Sequence, residues 1–352
     1  MIARIDAGPL LGEATAERRR VDEVFIAAAT SAGFVTLAGL PAEIAPTAAL
    51  RADLKRLFGL AEADKRSLTR RKFVAANPNV YRGWFPAQAG AATYKEGIDL
   101  GPDLAVPGFR VDAADPLTEP TPLPGESQLP LWRAAAARYY LAMQRLADAL
   151  VRSLARGLEL PEHSFAPLYI SAGLSTLRLI RYPERTAASL VGAPQADTWV
   201  THRGVRRHTL GIAHVDTGCM TLLAQDGIAG LQACTRDGEW LDVPPEEGSI
   251  VVNFGALLER WTGGRIRATA HRILGSGCER HAIAFFYEPA VDALICPLPL
   301  AGAPRFEPFP FGDYLWALVT RFVEFEGLED ARRPLRIEVA RARQIFATPV
   351  RR

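Results

Sequence analysis

From Ser175 to Pro289 the apolar residues come in short runs, each cut off within a few positions by glycine or by an Asp-Gly pair. Gly227, Gly230, Asp237-Gly238, Gly248, Gly263-Gly264 and the stretch from Gly275 to Gly277 supply the breaks. Runs this short are too brief for packed helices, and their Val, Ile, Thr and Phe content suits strands. Strands are predicted over residues 176–182, 211–216, 221–224, 231–234, 250–254, 270–274 and 281–287. Short strands with distant partners predict a jelly-roll barrel, a double-stranded β-helix.

Ahead of this region lies a strong helix signal over residues 131–158. Trp132, Tyr139, Met143, Leu146, Leu150 and Leu154 fall at spacings of three, four and seven, the pattern of a helix with one buried face. Earlier still, the patterning predicts a strand at 2–5, a helix at 17–32, a strand at 34–37 and a helix at 48–58. Residues 83–130 are rich in Pro and Gly and read as a long irregular segment, either a functional cover or disordered. The Arg-rich tail at 330–352 reads as a solvated helix. The expected class is α+β with a mainly β core and flanking N-terminal and C-terminal helices. A single domain is expected: 1–174 packed on the barrel, 175–290 as the catalytic core, and 291–352 as a helical extension.

Composition removes several function classes. A formal charge of +2 gives no electrostatic case for nucleic acid as a partner. No run approaches ~18 uninterrupted apolar residues, so no membrane span is expected. The first residues meet charge at Arg4 and Asp6 and do not form a signal peptide. Cys219, Cys234, Cys278 and Cys296 show no CxxC spacing, which fits reduced thiols and a cytoplasmic location. A small-molecule substrate is the remaining partner class, and the oligomeric state is left open.

His214, Asp216 and His271 carry the chemistry. In extended backbone, side chains two residues apart point to one face, so His214 and Asp216 can reach a common point. His271, 55 positions after Asp216, opens a distant strand and can close the triangle. Two imidazoles and a carboxylate with open opposite positions suit non-haem Fe(II) and leave room for O₂ and an organic co-substrate. Singly, each histidine is more often structural than a ligand; the strand context raises the reading. Arg280 follows His271 across a turn at Gly275–Gly277. A hairpin there would set Arg280 on the strand beside His271, where its guanidinium could grip a carboxylate. The bland alternative is a surface Arg pairing with Glu279.

The stretch from HVDTGCMTLLAQDGIAGLQ to AHRIL, followed by RHAIAFFYEP, resembles the isopenicillin-N-synthase-like family of Fe(II)/2-oxoglutarate dioxygenases. GFVTLAGLP, VYRGWFP and YKEGIDLG extend the resemblance to the N-terminal region. It implies a jelly-roll core and an oxygenase that uses Fe(II), 2-oxoglutarate and O₂ to hydroxylate, desaturate or cyclise at an unactivated C–H bond. By that resemblance His214, Asp216 and His271 are the metal ligands, Arg280 holds the distal carboxylate of 2-oxoglutarate, and Tyr182 hydrogen-bonds the co-substrate. The chain departs from the family where Arg-x-Ser becomes Arg280-His281-Ala282, so Ala282 sits in the co-substrate position without a hydroxyl. Ile180 replaces a common Asn, and Ala256 a common Asp.

Weaker candidates complete the set. Arg178 shares the Tyr182 face and either meets substrate or forms a salt bridge. Tyr81 and Trp84 either cap the pocket or belong to an aromatic core. Arg206, in the basic segment 201–208, either gathers an anionic substrate or is solvated. His281 faces away from Arg280, and Asn253 reads as a buried structural amide. Two rivals stay open: an oxidase in which Arg280 anchors the substrate's own carboxylate without 2-oxoglutarate, and a metal-bound jelly roll that only binds a ligand.

Overall fold

The computed structural model describes residues 2–346 except 169–172, 304 and 323. In chain order the strands are β1 (Ala3–Asp6), β2 (Phe34–Ala38), β3 (Gly83–Phe85), β4 (Glu96–Leu100), β5 (Thr176–Tyr182), β6 (Trp199–His202) and β7 (Val205–His214). They continue as β8 (Met220–Gln225), β9 (Leu231–Cys234), β10 (Trp240–Asp242), β11 (Ile250–Phe254), β12 (His271–Leu274) and β13 (Arg280–Tyr287).

Two sheets face each other. One has the order β1-β2-β11-β8-β13-β5-β4-β3, the other β10-β9-β12-β7-β6. From β5 onward the chain crosses between them almost strand by strand, which is the double-stranded β-helix expected from the strand pattern. This alternation explains the long gap between Asp216 and His271: β7 and β12 are neighbours in the smaller sheet, with His214 opposite His271 in register.

The period-2 rule sorts β13 cleanly. Ala282, Ala284 and Phe286 face inward onto a cluster with Ile180, Tyr182, Leu231 and Ile273, residues drawn from both sheets. Ile283, Phe285 and Tyr287 face outward into the main core. There they meet the helix Trp132–Gly157, where Tyr140 sits edge-on to Phe285 at 5.0 Å. Each large apolar side chain buried here stabilises the fold by roughly 1.5–3 kcal/mol. That helix therefore backs the sheet whose other face lines the cavity.

Four expectations change. The segment 83–130 is not wholly irregular: it holds β3 and β4, and with β1 and β2 the N-terminal region supplies four strands of the larger sheet. Their signal was masked because β4 buries Glu96 and Asp99, polar residues answered by cations from elsewhere in the chain. Second, β12 and β13 do not form a hairpin. They lie in different sheets, so Arg280 faces the smaller sheet from the larger one, paired in register with Tyr182. Third, β7 ends at His214, and Asp216 stands just beyond it. Finally, the tail is not merely solvated. The helix Val339–Phe346 buries Ala342 and Phe346, the latter against Phe309 and Tyr314. The last residues of the tail, 347–352, lie outside the described residues.

Candidate metal centre and co-substrate pocket

His214, Asp216 and His271 each offer a ligand atom, and these atoms lie within 4.8 Å of one another. Asp216 Oδ1 is 3.6 Å from His214 Nε2 and 3.7 Å from His271 Nε2. The two rings tilt toward each other with centroids 4.3 Å apart. Behind them, Nδ1 of His214 lies 2.8 Å from the Ile212 carbonyl, and Nδ1 of His271 3.3 Å from that of Thr269. A carbonyl only accepts, so the ring protons belong on Nδ1, and both Nε2 lone pairs face the gap.

The carboxylate is fixed with equal economy. Thr221 Oγ1 donates to Asp216 Oδ2 at 2.5 Å and Asn253 Nδ2 donates to the same oxygen at 2.7 Å, which leaves Oδ1 turned to the imidazoles. Asn253 is thus more than a structural amide, because it aims a donor atom. An amide set in the apolar strand Ile250–Phe254 was the available signal, since such a group needs a buried partner. The turn after Asp216 is tight: a Cβ on Gly255 would stand 2.2 Å from the Gly218 carbonyl oxygen.

Electrostatics favour the metal-binding protonation states. Loss of solvent, then the neighbouring His271, brings His214 down to about 4, against the pull of Asp216. Burial opposes ionisation of Asp216, yet His271, His214, Thr221 and Asn253 outweigh it and hold the carboxyl below its ordinary value. A neutral His214 imidazole beside an ionised Asp216 carboxylate suits a divalent cation. The residues fit a ferrous ion.

These groups open into a cavity of about 410 Å³, whose wall also carries Arg280, Tyr182, Arg178, Tyr81 and Ile180. Arg280 is 1% exposed. Its Nη2 donates to Gln225 Oε1 at 3.1 Å and its Nε to the Ile228 carbonyl at 3.3 Å, while Nη1 is buried without a partner. Its guanidinium carbon lies 5.3 Å from the Tyr182 ring centre. Among the described residues no carboxylate pairs with it. A buried guanidinium with an unused nitrogen can accept a ligand carboxylate.

The remaining candidates divide. Arg178 lines the cavity but is also tied to Asp99 through two hydrogen bonds, at 2.6 and 2.8 Å. Tyr81 lines it and stacks on Phe325. Three placements are corrected. Trp84 is buried in the main core beneath Lys65, away from the cavity. Arg206 is exposed on the β6–β7 hairpin, its guanidinium 4.0 Å over the Trp199 ring, where local stacking satisfies it. Ala282 points inward, but its methyl is absorbed into the inner apolar cluster and does not line the cavity. His281 lies on the opposite face, between Asp226 and Glu279 and against Phe58.

Part of the wall came from places that local pattern did not mark. Leu315 and Val319 of the helix Phe311–Val319, then Phe322 and Glu324, close one side. Lys95, from the loop before β4, meets Glu324 at 3.1 Å.

Residues 180–289 match the family model described as the 2OG-Fe(II) oxygenase superfamily. The chain is 30% identical over 320 residues to an isopenicillin N synthase of Streptomyces clavuligerus, covering 89% of this chain and 93% of that protein. It is 29% identical to a proline hydroxylase of Petromyces alliaceus, covering 84% and 89%. Among solved structures, a Neurospora crassa protein crystallised in complex with alpha-KG and thymine superposes with a TM-score of 0.73 at 23% identity, covering 91% of this chain and 96% of that one.

Proposed function

The chain belongs to the 2OG-Fe(II) oxygenase superfamily, and on that premise we propose that His214, Asp216 and His271 hold its ferrous ion. Arg280 and Tyr182 then anchor 2-oxoglutarate, and the reaction oxidises a C–H bond of a small organic molecule. The enzyme is an oxidoreductase of a family that uses Fe(II), 2-oxoglutarate and O₂. The observation that carries the residue assignment is the convergence of two Nε2 atoms and one carboxylate oxygen beside a cavity that also contains an unpaired guanidinium.

Iron, when bound, supplies oxygen activation coupled to oxidation of the keto acid. The chain's own contribution is orientation. Ile212 and Thr269 carbonyls hold the imidazoles, and Thr221 and Asn253 hold the carboxylate, so the donors need no rearrangement. Arg280 takes the distal carboxylate of the co-substrate with its unused nitrogen. Ala282 withholds a hydroxyl bond worth about 1 kcal/mol, less than the roughly 1.5–3 kcal/mol of a charged one, so Arg280 dominates the anchor. Leu223, Phe286, Leu315 and Phe322 line the cavity and exclude water from the substrate.

A second reading draws on Ala282 and Ile180, which leave fewer polar groups around the co-substrate: Arg280 anchors the substrate's carboxylate and no keto acid is used. Succinate formed per O₂ consumed separates the two, near one for the first and zero for the second. Membership of an enzyme family sets aside the purely ligand-binding rival. We place the enzyme in the cytoplasm, since all four cysteines are unpaired and no helix among the described residues is long and apolar enough to cross a membrane.

The deciding experiment is anaerobic titration with Fe(II) and then 2-oxoglutarate, following the weak metal-to-ligand visible band. Wild type should give a saturable band, and Arg280→Leu should need about 10–100-fold more 2-oxoglutarate to reach it. A band in Arg280→Leu that saturates as in wild type would remove Arg280 from the anchor.

A further inference from the structure

The cavity has a second charged region, well away from Arg280. On β5, Tyr182 pairs with Arg280 and Arg178 with Ala284, so the two arginines are separated by four residues of strand. At ~3.3 Å per residue that is roughly 13 Å, too far for one small anion to reach both.

Around Arg178 the charges do not balance. Arg70 and Arg178 share Asp99, and Lys95 pairs with Glu324, so three cations meet two carboxylates. The group is enclosed: Arg70 is 0%, Asp99 1% and Glu324 6% exposed. Behind it Arg82 is also buried, held by Thr176 and the Leu174 carbonyl. Even with the buried Glu288 counted as an anion beside Arg82, four cations meet three carboxylates and the group stays one positive charge ahead. An unanswered buried cation is costly, and a cavity wall is where a ligand can answer it.

Unused donors point to the same place. Arg178 gives Nε and Nη2 to Asp99 and leaves Nη1 without a protein acceptor among the described residues. The Tyr81 hydroxyl has none either, and Tyr81, Lys95 and Arg178 all line the cavity. The loop bearing Lys95 is bound to β7, the strand that ends in His214, through Tyr94 N–H to the Leu210 carbonyl at 3.0 Å. Ile212 N–H, two residues before His214, also donates to Thr93 Oγ1 of that loop at 3.3 Å, so the loop runs along the strand that carries the imidazole.

We propose that Arg178, Lys95 and Tyr81 form a second anion subsite that holds a carboxylate of the substrate, leaving the rest of the molecule against Leu315, Val319 and Phe322. This deepens the oxygenase reading and rests on it. With Glu288 ionised the surplus is one charge, which matches a monoanionic carboxylate rather than a dianionic phosphate. Arg178 supplies a directed donor and a share of the unbalanced charge, Tyr81 supplies a hydroxyl donor, and Lys95 adds an ammonium donor beside them.

The test uses the full chain loaded with Mn(II) and saturating 2-oxoglutarate, so that the Arg280 seat is filled and no turnover occurs. Straight-chain carboxylates from acetate to octanoate, and their primary amides, are titrated by calorimetry. At least one carboxylate should bind and its amide should not. Lys95→Met should weaken that binding at least tenfold, Lys95→Arg should restore most of it, and Tyr81→Phe should weaken it about fivefold. Because Lys95→Met leaves Glu324 unpaired and can lower stability, Tyr81→Phe, which removes only a hydroxyl, keeps the test decisive. Amides binding as well as acids, no acid binding at all, or both variants binding as wild type would each overturn the subsite. Without 2-oxoglutarate, loss of carboxylate binding in Arg280→Leu but not in Lys95→Met would do the same while leaving the metal assignment intact. Failure of Fe(II) to bind would sink that assignment and leave the carboxylate data unaffected.

Discussion

The wall bearing His214, Asp216 and His271 and the wall formed by residues 315–326 enclose one cavity but are built differently. The first is made of paired strands, and each ligand group is fixed from behind by a hydrogen bond to a neutral partner, a backbone carbonyl for each imidazole and an amide and a hydroxyl for the carboxylate. The second is a helix end and a turn, tied down by charges. Asp313 accepts from Arg332 and from the backbone of Leu335, Arg336 and Ile337; Lys95 meets Glu324; Lys72 donates to the Glu326 carbonyl. Bonds to neutral carbonyl, amide and hydroxyl partners hold an angle without needing a second charge. Ion pairs across a turn hold a position conditionally. The contrast suits a centre whose geometry must not vary, facing a wall that selects what enters.

The strongest challenge to the first wall is His271→Ala. It should weaken Fe(II) binding by more than the ~10–100-fold usual for an outer partner and abolish turnover. Retention of a saturable metal-to-ligand band would show that the strand wall is not the metal seat. Next in size, Asn253→Ala should cost Fe(II) affinity about 10–100-fold with the fold intact by circular dichroism. An unchanged affinity would mean that Thr221 alone suffices to aim Asp216.

The second wall is tested by acid. Burial opposes the ionisation of Glu324, but Lys95 and Arg178 prevail and bring it from 4.5 to about 2. A depressed folded value stabilises at pH above the free value and loses that contribution as pH falls through the folded one. Wild type should therefore exceed Glu324→Gln by an amount on the order of 3 kcal/mol near neutrality, and the gap should close between pH 4.5 and 2. Urea melts across that window measure it, and a gap independent of pH would contradict the ion-pair account. Smallest of all, Arg206→Ala should leave kcat/KM and stability within about 0.5 kcal/mol of wild type, because its hairpin lies outside both walls. A larger loss of kcat/KM would extend the second wall to the β6–β7 hairpin.

The two walls also differed in how much of them the sequence disclosed. Residues 176–182, 231–234 and 250–254 match their strands end to end, since alternating patterns bounded by glycine are local signals. The proposed ligand triad was readable because its chemistry restricts residue type. The route of Arg280 was not: nothing in nine residues distinguishes a hairpin from a crossover between sheets, and the cavity needs the crossover. Lys95 and Glu324 escaped for a related reason. They are more than two hundred residues apart, and neither has a local pattern that betrays the other. Trp84 and Arg206 illustrate the converse, side chains whose chemistry suited a pocket but whose local packing had already claimed them.

Chain order adds one consequence. His271 completes the ligand set, whereas Leu315 to Glu326 are synthesised only afterwards. The proposed donors and the roof over them are thus encoded in separate stretches of chain, and the roof can vary in sequence without touching a donor.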